Sequence, residues 1–383
     1  MTTAIELVPE AHRASRSSLT VDLEAVAANT RLFAAKSTRG LMAVVKAEGF
    51  GHGAADVART ALSAGATRLG VTSLDEALAL RAEGLTAPVL SWLNPVDADW
   101  SAACGADIDV AVPGVEHLEA VAHKAPGSRV HLHLDTGLAR DGAAPAEWGA
   151  LCMAARRAES QGRVRIVGLM GHLPCADEAG HTTTALGRAR FAWALAAARG
   201  FGLRPAEHHL AATAAALTDP ASHHSYCRVG AGLVGIDPSR TTPLRGALTL
   251  TAPLVTVREV RAGTGVGYGH AWVASRTTRL GLFPLGYADG LPRAASGRAE
   301  VLVAGVRRPL VGRLSMDMAV VELGDLPVQL GTPVTVFGPG DSGEPTVRDW
   351  AAWSGTLEHE VVTGIGSRVQ RLVRPARTLR SLA

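Results

Sequence analysis

Over residues 20–240 short β-branched apolar runs alternate with Ala/Leu-rich stretches in which apolar side chains recur at helical spacing. Residues 41–46 predict a strand and 54–64 a helix; 68–71 predict a second strand and 74–83 a second helix, with Asp75 and Glu76 at its positive end. Residues 88–93, 107–112, 129–134 and 165–170 repeat the strand pattern. Strands separated by one helix each are parallel βα units. Seven or eight such units in about 220 residues fit a (β/α)8 barrel better than an open sheet. Residues 237–243 break this rhythm, and beyond them the helical period nearly disappears. Short alternating runs at 254–260, 278–284, 300–303, 318–323 and 333–337 predict a mostly β domain, with one helix near 347–353. The expected organisation is an N-terminal extension over 1–15, an α/β (β/α)8 barrel over 16–240, and a β domain over 241–383.

Composition narrows the class. With 47% hydrophobic and 19% charged residues, the chain reads as a well-packed enzyme-like protein. A net charge of +3 and the lack of a basic run with interleaved aromatics make nucleic acid a poor partner. Cys104, Cys152, Cys175 and Cys227 form no CxxC pair and no metal-ligand spacing, so free thiols in a reducing cytoplasm are expected, and no metal. Neither a signal peptide nor an apolar stretch of the roughly 20 residues a membrane span needs is expected.

Lysine usage points to chemistry. The chain holds three lysines, Lys36, Lys46 and Lys124, against thirty-five arginines. Lys36 and Lys124 lie in polar surroundings, whereas Lys46 ends the first barrel run and precedes a glycine-rich turn, Ala47-Glu48-Gly49-Phe50-Gly51-His52-Gly53. An amine can lose its proton when desolvated and attack a carbonyl; a guanidinium effectively cannot. The C-terminal ends of barrel strands are where such chemistry belongs. A lysine snorkelling from a strand end is the plain alternative.

The segment Ala43-Val44-Val45-Lys46-Ala47 through Gly51-His52-Gly53 resembles the lysine signature of the alanine racemase family, whose cofactor is pyridoxal 5'-phosphate. Other motifs in the family's order cover nearly the whole chain. Val266-Gly267-Tyr268-Gly269 resembles the stretch carrying the family's second base; as a dinucleotide fingerprint its glycines lack the strand-turn-helix context. Cys227-Arg228-Val229-Gly230-Ala231 is similar to the segment whose arginine meets the pyridine nitrogen, and Gly168-Leu169-Met170-Gly171-His172 to one whose histidine links that arginine to the tyrosine. Asp135-Thr136-Gly137-Leu138-Ala139-Arg140 resembles the loop whose arginine grips the substrate carboxylate. Gly312 to Asp317 matches the stretch whose methionine, here Met316, meets the same group, and Gly286-Tyr287-Ala288-Asp289 matches an entrance motif.

The resemblance implies a barrel plus β domain, a two-base racemisation, and a homodimer in which the tyrosine reaches the lysine of the other subunit. It assigns catalysis to Lys46 and Tyr268. Cofactor binding falls to Lys46, His172, Thr213, Arg228, Gly230, Ala231 and His359, and substrate binding to Arg140, Met316 and Tyr287. Alanine is the default substrate, with another small amino acid as a specialised alternative. A decarboxylase or aldolase on the same barrel, or a cofactor carrier without activity, are the competing classes. Departures from the family pattern are Phe50 and His359 where tyrosines usually stand, Ala212-Thr213 for Asn-Ser, His133 for a lysine, and Val234 for a tyrosine. They leave both bases intact and alter the cofactor and gate linings.

Overall fold

The computed structural model of the protein describes residues 16–37 and 39–376. The extension expected over 1–15 lies outside the described residues. The first strand, β1 (Ser18–Asp22), corrects the expected barrel boundary at residue 16. It pairs antiparallel with a strand near residue 250 and parallel with the chain's last strand, so both of its edges are satisfied within the β unit. Two compact units result, Val26–Leu244 and the chain flanking it on either side. Apolar periodicity identifies a strand but not the sheet it joins, which is why the boundary was misplaced.

The first unit carries the strands β2 (Leu41–Val44), β3 (Arg68–Val71), β4 (Val89–Ser91), β5 (Ile108–Val112), β6 (Ser128–His133), β7 (Val164–Met170), β8 (Glu207–His209) and β9 (Cys227–Val229). They form one eight-stranded sheet in the order β8-β7-β6-β5-β4-β3-β2-β9, every pair parallel. Across the seam, Ser225 N–H donates to His208 C=O (2.8 Å) and Arg228 N–H to Ala211 C=O (2.9 Å), bringing the sheet's ends together as a nearly closed barrel. β8 and β9 are too short to show a period. Helices α1 (Leu23–Lys36), α2 (Ala54–Ser63), α3 (Leu74–Ala82), α4 (Trp100–Gly105), α5 (Val115–Lys124), α6 (Trp148–Ser160), α7 (Thr182–Gly200) and α8 (Thr213–Thr218) intervene. α3 opens on a capping box: Glu76 N–H donates to Ser73 Oγ (3.2 Å), and Ser73 N–H returns a bond to Glu76 Oε2 (3.3 Å).

The β unit contains β10 (Leu248–Pro253), β11 (Thr256–Val260), β12 (Gly265–Val266), β13 (Trp272–Val273), β14 (Thr278–Phe283), β15 (Glu300–Val303), β16 (Val306–Pro309), β17 (Ala319–Glu322), β18 (Pro333–Phe337) and β19 (Gln370–Arg374). Its sheets run β16-β15-β18-β10-β1-β19 and β11-β14-β17, with β12 and β13 as a separate pair. Of the expected run 254–260, Thr256–Val260 forms β11, while Leu254 and Val255 link it to β10, a strand the apolar pattern did not separate. Helix α9 (Val347–Ser354) was expected; α10 (Glu358–Gly364) follows it and was not. All four cysteines are free thiols. Among the described residues no helix is long and apolar enough to cross a membrane.

Candidate active site

Lys46 lies just beyond the C-terminal end of β2 and opens one turn of left-handed helix. Ala47, Glu48, Gly49 and Phe50 have φ of 50°, 55°, 61° and 57°. Left-handed backbone costs an L-residue about 1–2 kcal/mol, and only one of the four is glycine, so the turn needs external support. Gly49 N–H donates to Val45 C=O (2.9 Å), Gly53 N–H to Glu48 C=O (2.8 Å), and Ala47 N–H to Glu76 Oε1 (2.7 Å). The other Glu76 oxygen accepts from Thr72 N–H (2.9 Å) and Thr72 Oγ1 (2.7 Å). Although burial alone would raise it, bonds from Thr72, Ala47 and Ser73 hold the Glu76 carboxyl below its ordinary range. One ionised side chain thus caps α3 and clamps the turn after Lys46.

The Lys46 amine is half-buried. Burial first and then the cation Arg140 lower its pKa; Glu76 opposes them, and Arg228 adds the smallest lowering effect. Those electrostatic reaches bring Lys46, Arg140 and Arg228 into one locality. Arg228, on β9, is 4% exposed and donates to His209 Nδ1 (3.0 Å), His209 C=O (2.9 Å), Gly171 C=O (2.7 Å) and His172 Nδ1 (3.3 Å). Burial lowers the guanidinium to about 10, so it stays cationic near neutrality. Burial, followed by Arg228 and Arg140, pushes His172 down to about 3, and it remains neutral.

The Asp135–Arg140 loop is built by its first residues. Asp135 Oδ1 accepts from Gly137, Leu138 and Ala139 N–H at 2.8, 2.9 and 3.1 Å, folding the loop that presents Arg140. Thr136 Oγ1 donates to His172 C=O (2.6 Å) and accepts from His172 N–H (3.2 Å), tying this loop to the end of β7. His133 Nδ1 lies 3.3 Å from Asp141 Oδ2.

Thr213, Gly230 and Ala231 also come together. Gly232 N–H donates to Thr213 Oγ1 at 3.3 Å. Ala231 begins a short 3-10 turn, Ala231–Val234, with Gly230 as its cap, and backbone N–H groups at such a start have no partner within the turn. A Cβ at Gly230 would collide with the Phe50 ring, so glycine there leaves the aromatic edge against bare backbone. A phosphate fits this concavity of N–H groups and a hydroxyl. Phe50 contributes a ring edge and no hydroxyl.

The β unit presents its candidates differently. Tyr268 is 72% exposed and opens a 3-10 turn between β12 and β13, flanked by Gly267 (φ 69°) and Gly269 (φ 67°). Tyr287 N–H donates to Ser315 C=O (3.1 Å) and Ala288 N–H to Met316 C=O (2.9 Å), which brings Tyr287 and Met316 side by side. A Cβ at Gly286 would strike this same backbone, and one at Gly290 would strike Gly364 at the end of α10, the helix bearing His359. Arg368 fastens the group by pairing with Asp289 (3.3 Å) and Asp317 (2.7 Å).

Residues that sequence reasoning passed over are Glu76 as a clamp, and His209, His131, Asp109 and Glu207 inside the barrel. For Asp109 and His131 the signal was a polar side chain within an otherwise apolar strand run.

The sequence profile described as "Alanine racemase, N-terminal domain" matches residues 21–238, and "Alanine racemase, C-terminal domain" matches 247–373. The chain is 44% identical over 367 residues to a protein of Frankia casuarinae named alanine racemase, covering 93% of this chain and 96% of that one. It superposes on the crystal structure of alanine racemase from D-cycloserine producing Streptomyces lavendulae with a TM-score of 0.92 at 41% identity, over 95% of this chain and 98% of that one. The Streptomyces coelicolor alanine racemase structure also gives 0.92, at 44% identity over 94% and 99%.

Proposed function

Because this chain belongs to the alanine racemase family, we propose that it interconverts the L and D forms of alanine, or of a related small amino acid, using pyridoxal 5'-phosphate. The observation that carries the reading is Lys46: an amine with lowered pKa, on a clamped left-handed turn at a barrel strand's C-terminal end. The residues fit the cofactor's phosphate, since the start of the Ala231–Val234 turn sets backbone N–H groups beside the Thr213 hydroxyl. When bound, pyridoxal phosphate is an electron sink that acidifies the α-hydrogen of an attached amino acid.

The protein supplies position and protons. Thr213, Gly230 and Ala231 would hold the phosphate, with His359 adding an N–H. Arg228 can only donate, so it would hold a bound cofactor's ring nitrogen as an acceptor, without a proton, and His172 braces Arg228. Arg140 grips the substrate carboxylate with its planar fork, aided by the Met316 backbone, while Tyr287 lines the way in. Inverting one carbon needs acid/base groups on both faces. Lys46 moves the proton on one face and Tyr268 on the other. Tyr268 serves the Lys46 of a second subunit, so the working form is a homodimer, placed in the cytoplasm.

Chiral analysis of products from L- and D-alanine tests the activity, with racemisation expected from both. Borohydride reduction should fix the pyridoxyl group on Lys46. Recovery of that group on Lys36 or Lys124, or lack of racemisation across a small amino-acid panel, would overturn the reading.

A further inference from the structure

Behind Arg228 a chain of polar side chains runs through the barrel interior. Arg228 Nη1 donates to His209 Nδ1 (3.0 Å), and His209 Nε2 lies 3.0 Å from His131 Nδ1. His131 Nε2 then points between two carboxylates, 3.6 Å from Asp109 Oδ2 and 3.7 Å from Glu207 Oε2. His131 and His209 are both fully buried. Gly168 makes room for the inner imidazole, since a Cβ there would collide with the His131 ring. The Tyr226 ring stacks on His209 at 4.6 Å and its hydroxyl donates to Glu207 Oε2 (3.2 Å). Arg68 and Arg129 pair with Glu207 and Asp109 and hold these carboxylates in place. The guanidiniums make the trio of Asp109, His131 and Glu207 a poor cation site.

The hydrogens in this chain follow from donor and acceptor rules. A guanidinium has no acceptor, so His209 Nδ1 must offer its lone pair. Burial holds the His209 pKa far below its ordinary value, so the ring is neutral and its one hydrogen sits on Nε2. That hydrogen needs an acceptor, which makes His131 Nδ1 bare and puts the His131 hydrogen on Nε2, facing the carboxylates. Ionised carboxylates only accept, so the inner end imposes the same order as the outer end. Were the His131 ring to present a lone pair to them, His209 would turn its Nδ1–H against Arg228, donor to donor.

We propose that Asp109 and Glu207, though neither touches Arg228, are positioning residues that fix its orientation by setting the tautomers of His131 and His209. The effect on catalysis rests on the proposed function, in which Arg228 faces the cofactor ring; the tautomer order does not.

The test begins with ligand-free wild-type protein labelled with nitrogen-15 histidine, its His131 and His209 resonances assigned by single substitutions. Both rings should be neutral with hydrogen on Nε2; a hydrogen on Nδ1 of either overturns the proposal. Asp109→Asn combined with Glu207→Gln introduces amides that donate as well as accept, so the order is no longer imposed from the inner end and rests on Arg228 alone. Mixed tautomers are expected, with pyridoxal phosphate affinity and kcat on alanine each falling roughly ten- to a hundredfold and KM within about twofold. Pure Nε2–H tautomers and unchanged kcat in that variant overturn the proposal. If the double variant does not fold, Asp109→Asn and Glu207→Gln are read singly, each expected to show part of the tautomer mixing and part of the loss in affinity and kcat; pure Nε2–H tautomers with unchanged kcat in both overturn the proposal. Wild-type protein with the expected tautomers but no affinity for pyridoxal phosphate would support the tautomer order and sink the functional reading.

Discussion

The barrel unit and the β unit handle their candidate residues in opposite ways. Arg228 and Thr213 are 4% and 6% exposed, while Tyr268, Met316 and Tyr287 are 72%, 52% and 42% exposed. In the barrel, burial shifts the acid–base behaviour of Lys46, His172 and Arg228 within a single chain. In the β unit, glycine-bracketed turns fix the backbone and leave the side chains outward. One unit is preorganised by its own core; the other presents its groups to solvent from its turns. Charge is set where the chain buries a group, and access by the turn that carries it.

The sharpest way to break this contrast is Tyr268→Phe. An exposed side chain contributes little packing, so the fold and cofactor binding should survive. Racemisation should fall by about 10²–10⁴, the usual contribution of a positioned acid or base. Exchange of the α-hydrogen of one enantiomer should persist. Mixing Lys46→Ala with Tyr268→Phe protein should restore part of the activity, and only under conditions that let subunits exchange. Near wild-type racemisation by Tyr268→Phe would remove it from the mechanism.

Glu76→Gln tests the barrel side of the comparison. It turns an ionised acceptor of bonds from Ala47, Thr72 and Ser73 into an amide. Charge-assisted bonds are worth roughly 1.5–3 kcal/mol, so a loss of about 1–3 kcal/mol in stability is expected, together with at least tenfold lower activity as the turn after Lys46 relaxes. Thermal unfolding and kcat report the two. Full activity in a destabilised variant would show that the turn does not depend on its clamp.

How far the sequence reveals the molecule follows the same division. The Lys46, Asp135 and Arg228 segments were legible because local motifs carry them, and the barrel because strands and helices differ in period. The membership of β1 in the β unit was not legible, since pairing over more than 220 residues leaves no local trace. Glu76 reads as an ordinary helix-start acid, and its bond to Ala47 appears only once β2 and β3 lie side by side. Asp109, His131 and the pair Glu207 and His209 sit on three different strands, and a polar residue in a short strand gives no sign of facing others.

A smaller effect follows from the depressed Lys46 amine. Its unfolded pKa is near 10.5 and the folded value is lower, so the unfolded chain binds more protons between the two. Holding Lys46 charged in the fold therefore costs stability, fully below the folded pKa and not at all above the unfolded one. In cofactor-free protein, Lys46→Met should raise stability at neutral pH, and the gain should disappear as pH rises through that window toward 10.5. Unfolding in urea at several pH values measures it. A gain independent of pH would point to packing, not charge.

The smallest expected effect concerns the two positions where the chain departs from its family's tyrosines. Phe50 packs its ring edge over Gly230, beside the turn where a phosphate fits, and brings no hydroxyl. A hydrogen bond to a charged group is worth roughly 1.5–3 kcal/mol at most. A water can serve a bound phosphate in place of a hydroxyl, so Phe50→Tyr should gain about 1–2 kcal/mol, a five- to thirtyfold tighter cofactor. His359→Tyr should tighten binding similarly and, by adding a bulkier ring, lower the rate on serine relative to alanine. The fold should change little, because Phe50 is already held in its left-handed turn and His359 lies on a short helix. Equilibrium dialysis of pyridoxal phosphate and paired rates on alanine and serine measure both effects. If affinity and the rate ratio both stay at wild-type values, the missing hydroxyls have no bearing on cofactor grip or substrate range.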